Sequence, residues 1–126
     1  MSTQAIGKRR WAIAEGYIPA ESSSNSRELV SHEAICILNS GSRKAHVTVH
    51  AFFADRDPAG PYRFVVPPRR TLHLRMNDLQ DPEPIPPATE YSSLIESDEP
   101  IVVQHTRLDS RKAALALLTT IAYSSD

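Results

Sequence analysis

The stretch Gln104-His105-Thr106-Arg107-Leu108-Asp109 follows the apolar run Ile101-Val102-Val103 and breaks its character. On an extended strand His105, Arg107 and Asp109 alternate onto one side, so an imidazole, a guanidinium and a carboxylate share a face. A second stretch, Trp11-Ala12-Ile13-Ala14-Glu15-Gly16-Tyr17, places Trp11, Ile13 and Glu15 on one face, a carboxylate beside an aromatic ring. The third is Ser31-His32-Glu33. Carboxylates, imidazoles, arginine and aromatic rings are the groups that hold a sugar-like ligand, through hydrogen bonds to its hydroxyls and stacking on its apolar face. The expected ligand-binding set is Glu15, His32, Glu33, His105, Arg107 and Asp109, with Trp11 or Tyr17 as the stacking surface. These groups should converge in one concave place. The competing reading is a face of charges that neutralise one another, in solvent or across a subunit contact.

Other chemistries lack a foothold. His32-Glu33 begins like a zinc-protease helix, but Ile37 follows Cys36 and the second histidine is missing. His46 and His50 have helical metal spacing, yet on a strand they lie roughly 13 Å apart, too far for one ion. Cys36 sits between Ile35 and Ile37 and reads as a buried structural thiol, with no basic neighbour to activate it. No nucleophile elbow, phosphate loop or dinucleotide glycine pattern occurs. The expectation is therefore no catalytic residue, no metal and no cofactor. Paired carboxylates leave a small sugar-processing enzyme as the reading from another class, since they do acid–base work at a defined separation. Arg9-Arg10, Arg69-Arg70 and Arg111-Lys112 are basic pairs that suit phosphate, which keeps a DNA-binding regulator as an alternative. A net charge of −1 gives little long-range attraction, so DNA binding should be weak or absent.

The elements that must position these groups are short and extended. The chain has 126 residues, enough for one domain with a core of its own, and 40% apolar with 23% charged residues reads as globular. One cysteine excludes an internal disulfide framework. The opening MSTQAIGKRR lacks a signal-peptide apolar run, and the longest apolar stretch, from Ala113 to Tyr123, is too short to span a bilayer as a helix. The expectation is a cytoplasmic protein, residues 1–126 forming a single domain.

Period-two segments between turn residues predict strands at Arg10 to Glu15, Glu33 to Leu38, Ala45 to Ala54, Tyr62 to Val66, Arg70 to Met76, Tyr91 to Glu96 and Ile101 to Leu108. Glu21 to Glu28 is a polar loop, Asn39 to Lys44 suits a hairpin connection, and Asp55 to Pro61 is a second turn. Asn77 to Pro87 holds four prolines, which excludes helix and central strand. The tail is ambiguous. Ser110 could cap a helix, but Leu115, Leu117, Thr119, Ile121 and Tyr123 recur at period two, so a short turn or helical piece near Asp109 to Ala113 followed by a strand is expected. About eight strands in one short chain predict an all-β, jelly-roll-like β-sandwich.

The same stretches resemble the sensory rhodopsin transducer family, the soluble transducers of cyanobacterial sensory rhodopsin. The resemblance is carried by Trp11 to Pro19 (WAIAEGYIP), Ser31-His32-Glu33, Cys36 to Asn39, Gly60-Pro61-Tyr62-Arg63, Val66-Pro67 and Arg69-Arg70-Thr71. It continues through Asn77-Asp78-Leu79, Pro84-Ile85-Pro86, the run Pro100 to Arg111 (PIVVQHTRLDSR) and Thr120 to Tyr123. It implies a small all-β sandwich in the cytoplasm, a homotetramer, a seven-helix sensory rhodopsin as membrane partner, and binding of a small, sugar-like molecule. The Glu21 to Glu28 loop and the Arg43-Lys44 turn differ from the family pattern. The surplus of apolar residues at Ile101 to Val103 and Leu115 to Ile121 points independently to a homo-oligomer that buries it.

Overall fold

The computed structural model describes residues 4–125. Eight strands account for its regular structure, with one 3-10 turn at Met76–Asp78 and no α-helix among the described residues. They are β1 (Lys8–Tyr17), β2 (His32–Asn39), β3 (Ala45–Phe52), β4 (Ala59–Val66), β5 (Arg70–Arg75), β6 (Glu90–Asp109), β7 (Ala116–Ile121) and β8 (Tyr123–Ser125). All pairings are antiparallel. The all-β expectation holds, and the strands join into one hydrogen-bonded network.

That network has two halves joined by the 20-residue strand β6. The first part of β6 pairs with β3 and β1, in the order β4-β3-β6-β1-β8. Its second part pairs with β2 and β7, and β5 extends that half beyond β2. Alternation decides what each strand buries. Ile35 and Ile37 of β2, Val47 and Val49 of β3, and Ile95, Ile101 and Val103 of β6 all face inward and are essentially inaccessible to solvent. They belong to one core that draws on both halves.

Three sequence expectations need correction. Tyr91 to Glu96 and Ile101 to Leu108 are parts of the single strand β6. Pairing with β3 ends at Ser97 and pairing with β2 begins at Val102, so Pro100 falls where no ladder bond is required of it. The Asn39 to Lys44 connection is not a hairpin: β2 pairs with β5 and β6, whereas β3 pairs with β4 and β6. The buried Asn39 amide builds this corner. Its Nδ2 donates toward the carbonyls of Arg43 (2.8 Å) and Val66 (3.0 Å), and its Oδ1 accepts from the Gly41 N–H (3.0 Å).

The tail holds no helical piece either; residues 111–114 form bends. Ser110 does not cap a helix. It is buried, and its N–H donates to Ser31 Oγ at 3.0 Å, which ties the end of β6 to the start of β2. The strand expected after it is β7. Every β7 residue is exposed, Leu117 by 71% and Ile121 by 57%, while Ile101 and Val103 are in the core. Of the two runs expected to carry an apolar surplus, only the tail exposes it.

Candidate functional site

Glu33 is the centre of the site, and it is wholly buried. β2 alternation turns Glu33 inward with Ile35 and Ile37, so folding must bring donors to its carboxylate. Four arrive from two strands, β1 and β6. The Tyr17 N–H of β1 donates to Oε1 at 3.0 Å, and the Tyr91 hydroxyl of β6 donates to the same oxygen. His105 Nε2 lies 3.1 Å and Arg107 Nε 2.6 Å from Oε2. A carboxylate ion only accepts, so His105 must carry its proton on Nε2. Burial by itself pushes the Glu33 pKa up. The hydrogen bonds from His105 and Tyr91, and the charge and hydrogen bond from the His105 and Arg107 side, outweigh it and leave the pKa below the ordinary carboxylate value. The Tyr91 hydroxyl is pushed up, first by burial and then by the Glu33 charge, so it stays protonated and donating.

Arg107 carries this buried charge outward. Its Nη2 donates to Glu15 Oε1 at 2.6 Å, and the Glu15 side chain is 69% exposed. Strict alternation would have kept Glu15 on the face of the buried Trp11 and Ile13. A bulge changes that: Ile13 pairs with Ser93 and Gly16 with Tyr91, so β1 spends one more residue than β6 at Ala14-Glu15. The extra residue bends the strand and aims Glu15 at Arg107. Gly16 is required beside the bulge because a Cβ there would sit 2.7 Å from the Tyr91 ring.

Beside this pair lies a cavity of about 520 Å³, lined by Glu15, Tyr17, Phe52, Phe53, Glu90 and Arg107 among others. Phe52 and Phe53 supply apolar walls, and the Arg56 guanidinium stacks 4.6 Å from the Phe53 ring centroid. The exposed carboxylates of Glu15 and Glu90 are acceptors for hydroxyl groups, and Arg107 is a donor. Glu33 itself is saturated by its four donors and sealed from the cavity, so it positions Arg107 and does not reach a ligand.

Of the residues singled out in the sequence, Glu15, Glu33, His105 and Arg107 form one connected network, with Tyr17 at the cavity wall. The other three lie elsewhere. Trp11 is buried in the core and its Nε1 donates to the Lys8 carbonyl, so its ring offers no stacking face. His32 points to the opposite face of β2 from Glu33, as the period of two demands for neighbours. Asp109 is taken by Arg111, with Oδ2 2.6 Å from Nη2. Cys36, expected to be buried, is half-buried on that same outer face of β2. Phe52, Phe53 and Glu90 were missed. The available signal was the Phe52-Phe53 pair, since adjacent aromatic residues at a strand end cannot both face a core.

The family model of the Anabaena sensory rhodopsin transducer matches residues 6–124. The chain belongs to the Anabaena sensory rhodopsin transducer family. A solved structure of the Anabaena sensory rhodopsin transducer is 50% identical, with a TM-score of 0.72 over 82% of this chain and 100% of that one. The crystal structure of Thermotoga maritima 1070 is 37% identical, with a TM-score of 0.84 over 94% of this chain and 96% of that one. None of the curated proteins matches the chain. Among the described residues of this transducer-family chain, no helix is long and apolar enough to cross a membrane.

Proposed function

We propose that this transducer-family chain is a cytoplasmic signalling protein that binds a small, sugar-like molecule in the Glu15–Arg107 cavity and acts by binding rather than by catalysis. The observation that carries the reading is the buried Glu33 network. Three donors fix the Glu33 carboxylate, which holds one guanidinium at the mouth of an aromatic-walled cavity, where an exposed carboxylate meets it. Preorganisation of this kind is what a polar binding site requires. Phe52 or Phe53 takes the stacking role expected of Trp11. The family supports a sensory rhodopsin as partner. The exposed apolar β7, with Tyr123 75% exposed beside it, supports a homo-oligomer that covers it, and the family resemblance makes that a homotetramer.

The test is a thermal-shift screen with monosaccharides and sugar acids, with light scattering on the same samples. A true ligand at a hundred times its dissociation constant adds about 2.7 kcal/mol, several degrees for a chain this size. Glu15→Ala and Glu90→Ala, both at exposed positions, should remove the shift and leave the fold and assembly intact. No shift with any compound of this class would defeat the binding reading, and a 14.0 kDa particle at micromolar concentration would defeat the assembly.

A further inference from the structure

The outer face of the β5-β2-β6-β7 half carries a second concavity, of about 550 Å³, remote in chemistry from the Glu33 network. Its floor follows from the register. Ala34 of β2 stands between Arg75 of β5 and Thr106 of β6, so the smallest side chain of that row is flanked by two polar ones. Cys36, one step along the same face, stands beside His73. His32 closes the near end, and Arg27 and Glu28 lie at the rim.

Arg75 is the unusual group. It is half-buried, and among the described residues no carboxylate pairs with it. The nearby Asp78 is engaged by Arg27, with contacts of 3.3 and 2.6 Å to its two guanidinium nitrogens. Arg75 Nη2 donates to the Arg27 carbonyl at 2.5 Å and lies 2.6 Å from His32 Nδ1, while its Nε is buried with no partner at all. Burial, and then the charge of Arg27, pull its pKa below the ordinary value. Asp78 opposes that pull but is shared with Arg27, so Arg75 is left with an incomplete counter-charge, and an arriving anion supplies the rest.

We infer that this groove is a binding site for a phosphate-bearing small molecule, held by Arg75 on the floor of Ala34 with His32, His73 and Thr106 around it. Donors on the Arg75 flank and at the ends marked by His32 and His73 suit an anion with acceptor oxygens in several directions, rather than the two coplanar oxygens of a carboxylate. The Arg27–Asp78 pair is neutral as a unit, so Arg75 and Glu28 set the local charge. The exposed Glu28, which has no partner among the described residues, must turn outward when the anion enters. This inference is independent of the sugar-like ligand at Glu15 and Arg107, since the two sites share no residue.

The test is a titration of the full chain with inorganic phosphate and with glucose 6-phosphate, followed by backbone amide shifts at constant ionic strength. Saturable shifts should centre on Ala34, Arg75 and Thr106, and acetate should bind at least tenfold more weakly. Arg75→Gln should weaken phosphate at least tenfold. Ala34→Leu, which fills the floor and keeps every charge, should do the same, while Glu15→Ala should leave the affinity unchanged. The amide spectrum of each variant reports directly whether it is folded. Shifts that never saturate, acetate binding as well as phosphate, or full affinity in both groove variants would overturn the inference. So would shifts produced by duplex DNA and not by either small phosphate.

Discussion

Removing Arg107 should expose how the chain tolerates a buried carboxylate. In Arg107→Ala, Glu33 keeps the Tyr17 N–H, the Tyr91 hydroxyl and His105, but loses the donor at 2.6 Å that carries full positive charge. Breaking a buried pair costs roughly 3–5 kcal/mol, and the three remaining donors place this case at the lower end. The Glu15–Arg107 contact adds little, because Glu15 is exposed and such pairs are worth about 0–1 kcal/mol. The expected loss is about 3 kcal/mol at pH 7, about 12 °C in melting temperature at ~4 °C per kcal/mol. The pH dependence identifies the cause. Glu33 has its folded pKa lowered from 4.5, so its contribution is present above that value and is lost as pH falls through the folded pKa. Once Glu33 is protonated it needs no cation, so the cost of the substitution should shrink toward pH 3. Denaturant unfolding of both proteins at pH 7 and pH 3 measures this directly. Equal losses at the two pH values, or a loss below about 1 kcal/mol at pH 7, would refute the assignment of Arg107 as the partner of the Glu33 charge.

Gly16→Ala should cost about 2–3 kcal/mol in denaturant unfolding, because the new Cβ would meet the Tyr91 ring at 2.7 Å and push it from Glu33. Asn39→Ala should cost about 3 kcal/mol by the same measurement, since the Val66 carbonyl and Gly41 N–H lose a buried partner. Duplex DNA should give gel shifts only at low salt and without sequence preference, given a net charge of −1 and no α-helix among the described residues to enter a major groove. A complex that survives physiological salt with one sequence, and not with its scrambled version, would contradict this.

The sequence by itself determined the strands and much of the chemistry. A period of two, with β-branched residues inside and prolines between, is a local property of the chain. It placed β2, β3 and β5 nearly to the residue and put His105 and Arg107 on one side of their strand. What alternation cannot specify is which strands pair, and that decided the site. The corner at Asn39 looks like a hairpin turn in sequence, but its buried amide satisfies backbone groups from two other segments, and only the packed fold supplies those. Glu15 and Arg107 are 92 residues apart, and they meet because one extra residue in β1 shifts its register against β6. A bulge has no signature in a single sequence, since it is a property of two strands together. His32 and Glu33 are neighbours in the chain yet serve opposite faces, one beside an unpaired arginine and the other at the centre of four donors. Residue types set what chemistry is available. Burial decides which of those groups must find partners, and burial exists only once the two halves close over a common core.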